Sequence, residues 1–136
     1  MAYTNNYVEV LADNGEYEVE IINADVRSTA NGTQYLNLAF KIKSLNLVVY
    51  DKIWRDFLIP SDFNHKRVAQ LLTALNINDE LADDYALIQA IKNKKLTISV
   101  TKEYNDKRGK EENLVKEYKQ LTANQEIEIN EDDLPF

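Results

Sequence analysis

Apolar and polar residues alternate in the first half of the chain, which is the pattern of half-buried β-strands. In GEYEVEIINADVRST the apolar positions are Tyr17, Val19 and Ile21, with glutamates between them. Asn31-Gly32 follows, a dipeptide typical of a hairpin turn with positive φ at both central residues. YLNLAFKIK alternates again, and LVVYDKIWRDFLI is rich in β-branched and aromatic residues. The pattern therefore predicts three strands, the first two joined by a tight hairpin.

The period changes after Pro60, where apolar residues recur at helical spacing. Ser61 or Asp62 is the expected N-cap of this helix. The residues that share its apolar face are Val68, Leu71, Leu72 and Leu75. A second short helix is expected to turn Leu87, Ile88 and Ile91 inward. Two more strands follow, KLTISVTKEY and NLVKEYKQL, with a charged loop that turns at Gly109 between them.

The predicted order is three strands, a helical insertion and two further strands. A five-stranded OB-fold, a small Greek-key β-barrel, has this chain order, although other small α+β barrels share it. We therefore expect a mainly β fold, a β-barrel with helices inserted between strands 3 and 4. The expected domain covers residues 1–122, and residues 123–136 form a flexible, disordered acidic tail.

Composition narrows the class of protein. The chain has 136 residues, enough for one domain, and is 44% apolar and 29% charged. It has no cysteine, so disulfides and cysteine-based zinc sites are excluded. The amino terminus has no signal-peptide pattern, and no apolar run has membrane-spanning length. We expect a cytoplasmic chain without a membrane partner.

The charges are segregated along the sequence. The net charge is −7, yet residues 41–67 sum to +3 and residues 92–119 to +4. The acidic excess lies in residues 1–40, residues 68–91 and the last 17 residues. Because the local field decides what a surface attracts, a polyanion is a candidate partner despite the negative total.

Aromatic residues alternate with basic residues in both of these basic segments. This combination suits single-stranded nucleic acid, because bases stack on flat rings and cations follow the phosphates. The candidate residues are Tyr35, Lys41 and Lys43 on the second predicted strand, Tyr50, Lys52 and Trp54 on the third, Lys102, Tyr104, Lys107, Arg108 and Lys110 on the fourth strand and its loop, and Lys116 and Tyr118 on the fifth.

Each candidate also has a purely structural interpretation. Tyrosines line sheets for packing reasons alone, and a lone tryptophan such as Trp54 is either a core anchor or a stacking platform. The loop from Lys102 to Glu112 is alternatively a solvated hairpin, and Lys41 and Lys43 are alternatively plain outward charges.

The sequence contains few residue patterns typical of a catalytic or metal-binding site. His65 is the only histidine, and the three glycines are isolated, so no glycine-rich phosphate loop exists. The pairs Asp51/Asp56 and Asp83/Asp84 resemble magnesium ligands but lack a converging third group. We expect no catalytic residue, no metal and no cofactor.

The last residues read NQEIEINEDDLPF, with five carboxylates and no base. Such a charged stretch stays solvated, which leaves its final aromatic exposed. The end closely resembles the tip of bacterial-type single-stranded DNA-binding proteins, usually Asp-Asp-Asp-Ile-Pro-Phe. The body, with GEYEVEIINADVRSTANGTQYLNLAFKI and YDKIWRDFLI, is similar to the small single-stranded DNA-binding proteins of bacteriophages.

The resemblance implies sequence-independent binding and protection of single-stranded DNA during phage replication, recombination or repair. It also implies that the tip recruits partner enzymes, with the phenylalanine in an apolar pocket, its carboxylate on an Arg or Lys, and the acids on a basic rim. The matching positions are Asp132, Asp133, Leu134, Pro135 and Phe136. Two departures are a leucine in place of the usual isoleucine and the lack of a long linker, which fits a compact phage type.

The resemblance places the protein in a bacterial host cell, and a homo-oligomer is compatible with it. Two other functions stay open on sequence alone. One is an OB-like adaptor that only binds replication proteins, and the other is a single-stranded RNA binder. Titration with oligo-dT separates the first from a DNA-binding protein, and competition between DNA and RNA oligomers separates the second.

Overall fold

The computed structural model describes residues 10–55 and 63–121. Five strands and two α-helices follow one another in the predicted order. They are β1 (Gly15–Ser28), β2 (Gln34–Ile42), β3 (Leu47–Trp54), α1 (His65–Ala74), α2 (Asp84–Ile91), β4 (Lys95–Asn105) and β5 (Lys110–Lys119), with a 3₁₀ turn at Lys43–Leu45. No helix in the described part is long and apolar enough to cross a membrane.

All five strands form one antiparallel sheet in the order β3-β2-β1-β4-β5, so the prediction of a mainly β fold is confirmed. The long strand β1 holds the sheet together, because its first half pairs with β4 and its second half with β2. Val19 lies opposite both Leu96 and Ile42, where the two halves meet. The edge strands β3 and β5 approach each other across the sheet.

The core lies on the inner face of this sheet. The predicted apolar face of β2 is confirmed, because Leu36, Leu38, Phe40 and Ile42 are fully buried. Each helix adds one fully buried side chain, Leu71 from α1 and Ile91 from α2. The remaining residues of the predicted helix faces are buried or pack against the core: Val68, Leu72, Leu75, Leu87 and Ile88.

Helix α1 begins later than the sequence indicated. Its N-cap is Asn64, whose side chain accepts hydrogen bonds from the backbone N–H groups of Lys66 and Arg67. An asparagine there satisfies two of the donors that a helix start leaves unpaired. The predicted caps Ser61 and Asp62, and the end of the third predicted strand, lie outside the described residues.

The β1–β2 hairpin is confirmed, but the predicted turn type is wrong. The backbone N–H of Thr29 donates to Thr33 O at 2.8 Å, so three residues lie between this hydrogen-bonded pair, within the five that separate Ser28 from Gln34. Gly32 alone has positive φ, +88°, whereas Asn31 does not adopt it. The Thr29 hydroxyl donates to the Asn31 side chain. A three-residue connection with glycine in the left-handed position is a common alternative to the two-residue turn.

Candidate nucleic-acid interface

An aromatic pair with a lysine over it lies on the outer face of β2 and β3. Tyr35 and Trp54 are opposite each other in the strand register, and their ring centroids are 4.9 Å apart at an interplanar angle of 50°. Lys52 Nζ lies 4.9 Å from the centroid of Tyr35 and 5.7 Å from that of Trp54. We call these three residues the aromatic cluster. A cation at this distance from two rings makes a cation–π contact with each.

The alternation of β3 settles where Trp54 lies. Val49 and Ile53 are buried, as expected, so the intervening positions face outward. Trp54 is 43% exposed and Tyr50 is 61% exposed on that outer face. Trp54 is therefore a surface residue and not a core anchor, and the predicted grouping of Tyr35, Tyr50, Lys52 and Trp54 on one face is confirmed.

Of the two lysines predicted on the outward face at the end of β2, Lys41 lies on the strand as expected and Lys43 does not. Lys41 lies opposite Val48, and its Nζ donates to Asn46 Oδ1 at 2.7 Å. Lys43 does not continue the face of β2, because the strand ends at Ile42 and Lys43 starts the 3₁₀ turn. Asn46 closes that turn in the left-handed region with φ 52°. The prediction of Lys43 as an outward strand residue is therefore wrong.

The basic loop between β4 and β5 is a short turn. Asn105 Oδ1 accepts hydrogen bonds from the backbone N–H groups of Lys107 and Arg108 at 2.9 and 3.2 Å. Gly109 adopts φ +68°, as its predicted turn position requires, and its N–H donates to Asn105 O at 2.8 Å. Asn105 pairs with Lys110 in the ladder, so both strands extend into the predicted loop and leave four residues between them.

Several cations of β4 and β5 have acidic partners. Lys102 Nζ lies 3.0 Å from Asp13, and this hydrogen bond and charge raise the pKa of the lysine. Lys116 Nζ lies 2.8 Å from Glu103 and lowers the pKa of that carboxyl. Arg108 lies 3.0 Å from Glu112. The remaining predicted residues of this hairpin are all exposed: Tyr104, Lys107 and Lys110.

Tyr118 is buried, so its predicted place on the surface beside Lys116 is wrong. The pairing of β4 with β5 shifts by one residue, because Ser99 is opposite Glu117 and Val100 is opposite Val115. Such a bulge leaves Lys116 unpaired in the ladder and reverses the alternation beyond it, which turns Tyr118 toward the core. The centroid of its ring lies 6.0 Å from the centroid of the Phe40 ring.

A polar cluster that the sequence did not reveal joins β3, β5 and α1. The Tyr118 hydroxyl and Arg67 both donate hydrogen bonds to Asp51. Burial raises the pKa of Asp51, although Tyr118 and Arg67 oppose this shift. Burial and the charge of Asp51 raise the pKa of Tyr118 well above 10. One signal was present in the sequence, because Asp51 occupies a core-facing position between Val49 and Ile53.

A groove between the edge strands connects the two basic segments. Its volume is about 530 Å³. Tyr50, Lys52 and Trp54 line it from β3, and the opposite wall comes from β5 and the turn that precedes it. The predicted residues on that wall are Arg108, Lys110 and Lys116. Residues that are far apart in sequence thus line one continuous surface of aromatic rings and cations.

The carboxylates considered as magnesium ligands have other partners. Asp83 Oδ1 caps α2 by accepting from the backbone N–H of Ala86 at 2.9 Å, and Asp84 pairs with Arg55. Asp56 lies outside the described residues, as do the predicted partner-binding residues Asp132, Asp133, Leu134, Pro135 and Phe136. Within residues 10–55 and 63–121, no three His, Asp or Glu side chains form a group that could hold a metal ion.

The chain matches the model of a known protein family. The family described as "Protein of unknown function (DUF669)" matches residues 3–128, which is most of the chain. The chain therefore belongs to this family. No curated protein matches the sequence.

Proposed function

We propose that this member of the DUF669 family is an OB-fold protein that binds single-stranded DNA and resembles the small single-stranded DNA-binding proteins of bacteriophages. The strand order supports the OB-fold, since β1 pairs with both β2 and β4 and the helices lie between β3 and β4. The approach of the edge strands β3 and β5 fits a partly open barrel. OB-folds bind oligonucleotides on strands 2 and 3 and on the loops around them.

The observation that carries the proposal is the position of the aromatic cluster at the groove. Single-stranded DNA stacks its bases on aromatic rings at about 1–3 kcal/mol each and follows cations with its backbone. Tyr50 and Trp54 are exposed and Lys52 lies between them on β3, while Arg108 and Lys110 face them across the groove. This surface binds through stacking and charge, so most of its affinity is independent of base sequence.

Titration with fluorescent oligo-dT at low and moderate salt tests the proposal. Trp54 is the only tryptophan of the chain, so stacking on it is read directly as quenching of intrinsic fluorescence. The logarithm of the binding constant should fall with the logarithm of salt concentration, by about 0.7 per phosphate neutralised. Absence of binding at low salt, or an unchanged tryptophan spectrum at saturation, would contradict the proposed site.

We also propose that the acidic tail recruits replication or recombination enzymes through its final aromatic residue. The support is the sequence NEDDLPF, in which the acids steer toward a basic rim and Phe136 supplies an anchor. An adaptor that lacks DNA binding would use the same tail. The oligo-dT titration separates these two functions, and competition with a matched RNA oligomer tests the preference for DNA.

A further inference from the structure

The outward side chains of β1, β2 and β3 form rows that run across the strands. The register places Tyr35 beside Trp54 in one row, and Asn37 between Asp25 and Lys52 in the next row. Asn37 is two residues from Tyr35 along β2, a separation of about 6.5 Å in a β-strand. Asn37 therefore lies on the same face as the aromatic cluster, directly beside the ring pair.

Asn37 is a buried polar residue without a hydrogen-bond partner. Only 5% of its surface is exposed, and within residues 10–55 and 63–121 its side-chain amide makes no hydrogen bond. Its amide atoms are not among the fully covered polar atoms that lack a partner, so they keep a small exposed area. Buried amides are normally paired, because an unpaired one is costly. An unpaired carboxamide that stays accessible beside stacking rings indicates that a ligand supplies its partner.

The two neighbours of Asn37 in its row do not bond to the carboxamide. Asp25 Oδ2 accepts from Arg27 Nε at 2.9 Å, and Asp25 Oδ1 is fully covered, so neither oxygen of this carboxylate is offered to a base. On the other side, Lys52 Nζ lies over the rings of Tyr35 and Trp54. The carboxamide of Asn37 is therefore the polar group of this row that stays available to a base edge.

We propose that Asn37 is an adaptable base contact, whose carboxamide hydrogen-bonds to the edge of any of the four bases and so adds affinity without base preference. The proposal rests on the single-stranded DNA binding proposed above. A base that stacks on Tyr35 and Trp54 takes the place of Lys52 Nζ and turns its edge toward β2. The displaced lysine then meets a phosphate, and the base edge meets Asn37.

The edges of the four bases fit one reversible carboxamide. On the Watson–Crick edge, cytosine and adenine place an amino donor next to a ring-nitrogen acceptor, whereas thymine and guanine place a carbonyl acceptor next to a ring N–H donor. An asparagine side chain has one oxygen acceptor and one NH₂ donor, and a half turn about its last bond exchanges the two. No hydrogen bond among the described residues fixes the orientation of the Asn37 carboxamide, so it matches either order of donor and acceptor.

Oligo-dT, oligo-dC and an oligomer of 2,4-difluorotoluene deoxynucleoside, all of equal length, test this contact at neutral pH. Difluorotoluene has the shape of thymine and stacks, but its edge forms almost no hydrogen bonds. Asn37→Leu keeps a branched side chain of similar size without the polar atoms. It should weaken binding of oligo-dT and oligo-dC by the same factor, about two- to tenfold, which is the net contribution of one hydrogen bond. Its affinity for the difluorotoluene oligomer should equal that of the wild-type protein, because stacking on the rings is unaffected.

A second measurement needs no variant. Solvent exchange of the Asn37 carboxamide protons, followed by NMR on the ¹⁵N-labelled wild-type protein, should be slower in the saturated oligo-dT and oligo-dC complexes than in the difluorotoluene complex. Equal exchange rates in the three complexes overturn the contact.

Three results with Asn37→Leu also overturn the contact and leave the proposed function intact. They are unchanged affinity for both pyrimidine oligomers, a loss for one of them alone, and an equal loss for the difluorotoluene oligomer, which would show that the substitution only disturbs the binding face. Absence of binding of the wild-type protein to every oligomer overturns the proposed function itself, and the adaptable base contact with it.

Discussion

Asp51 on β3 accepts a hydrogen bond from the Tyr118 hydroxyl on β5, which links the two edge strands of the sheet. Arg67 on α1 donates to the same carboxylate oxygen, and its guanidinium carbon lies 4.6 Å from the centroid of the Tyr118 ring. These strands are not neighbours in the backbone ladder. Side chains therefore link β3 and β5 at Asp51, which lines the groove.

Tyr118→Phe should destabilise the protein by about 1–3 kcal/mol, because it removes a donor from a largely buried carboxylate. Denaturant unfolding monitored by circular dichroism measures this loss. Tyr104→Phe is the matched control, since Tyr104 is 62% exposed on β4 and should change the free energy of unfolding little. Equal losses in the two variants would show that Asp51 and Tyr118 contribute nothing specific.

Tyr118 also makes the stability of the folded protein sensitive to alkaline pH. The pKa of Tyr118 is raised in the folded protein, so above about pH 10 the unfolded chain loses the proton that the folded chain retains. The free energy of unfolding should therefore fall as pH rises above 10, by up to about 1.4 kcal/mol per pH unit from this group. Tyr118→Phe should remove that part of the slope. Parallel pH profiles of the two proteins would contradict the prediction.

The sequence predicted the elements whose residues follow a regular period. Alternation along β2 and β3 identified the core face and the outward group with Trp54, because each strand is regular throughout. The bulge at Lys116 reversed the alternation before Tyr118 and left no local signal in the sequence. The groove was not predictable either, since it depends on how closely β3 and β5 approach across the sheet.

Trp54→Ala should weaken binding of oligo-dT about five- to 150-fold, the equivalent of one stacked base. The affinity should fall without unfolding, because Trp54 is on the outer face rather than in the core. Tyr85→Ala is the control, since this tyrosine is 72% exposed on α2, outside the groove. Similar affinities for the two variants would remove the aromatic cluster from the binding site.

Replacing Lys107, Arg108 and Lys110 together by alanine should weaken DNA binding and reduce its salt dependence, by about 0.7 in slope for each phosphate that is no longer neutralised. Stability should remain nearly unchanged, because exposed charges contribute little to folding. Replacing Lys92, Lys94 and Lys95 by alanine changes the net charge equally and affects exposed residues away from the groove. The same fall in affinity in both triple variants would indicate a general charge effect.

The acidic tail should have two separable effects. Removing residues 126–136 eliminates five carboxylates and changes the net charge from −7 to −2. We expect these acids to compete weakly with DNA for the cations of the groove, so truncation should raise DNA affinity modestly, most clearly at low salt where screening is weakest. It should also abolish capture of partner enzymes, since the aromatic anchor is removed.

Phe136→Ala separates the anchor from the charge. It keeps all five carboxylates, so oligo-dT affinity should equal that of the wild-type protein at every salt concentration. Capture of replication or recombination enzymes from a bacterial lysate should nevertheless disappear, because a buried aromatic anchor contributes most of the binding energy in such interfaces. Ile127→Ala is the matched control, an apolar change within the same tail that should leave capture intact. If Phe136→Ala retains the same partners as the wild-type protein, the tail does not bind through its aromatic residue.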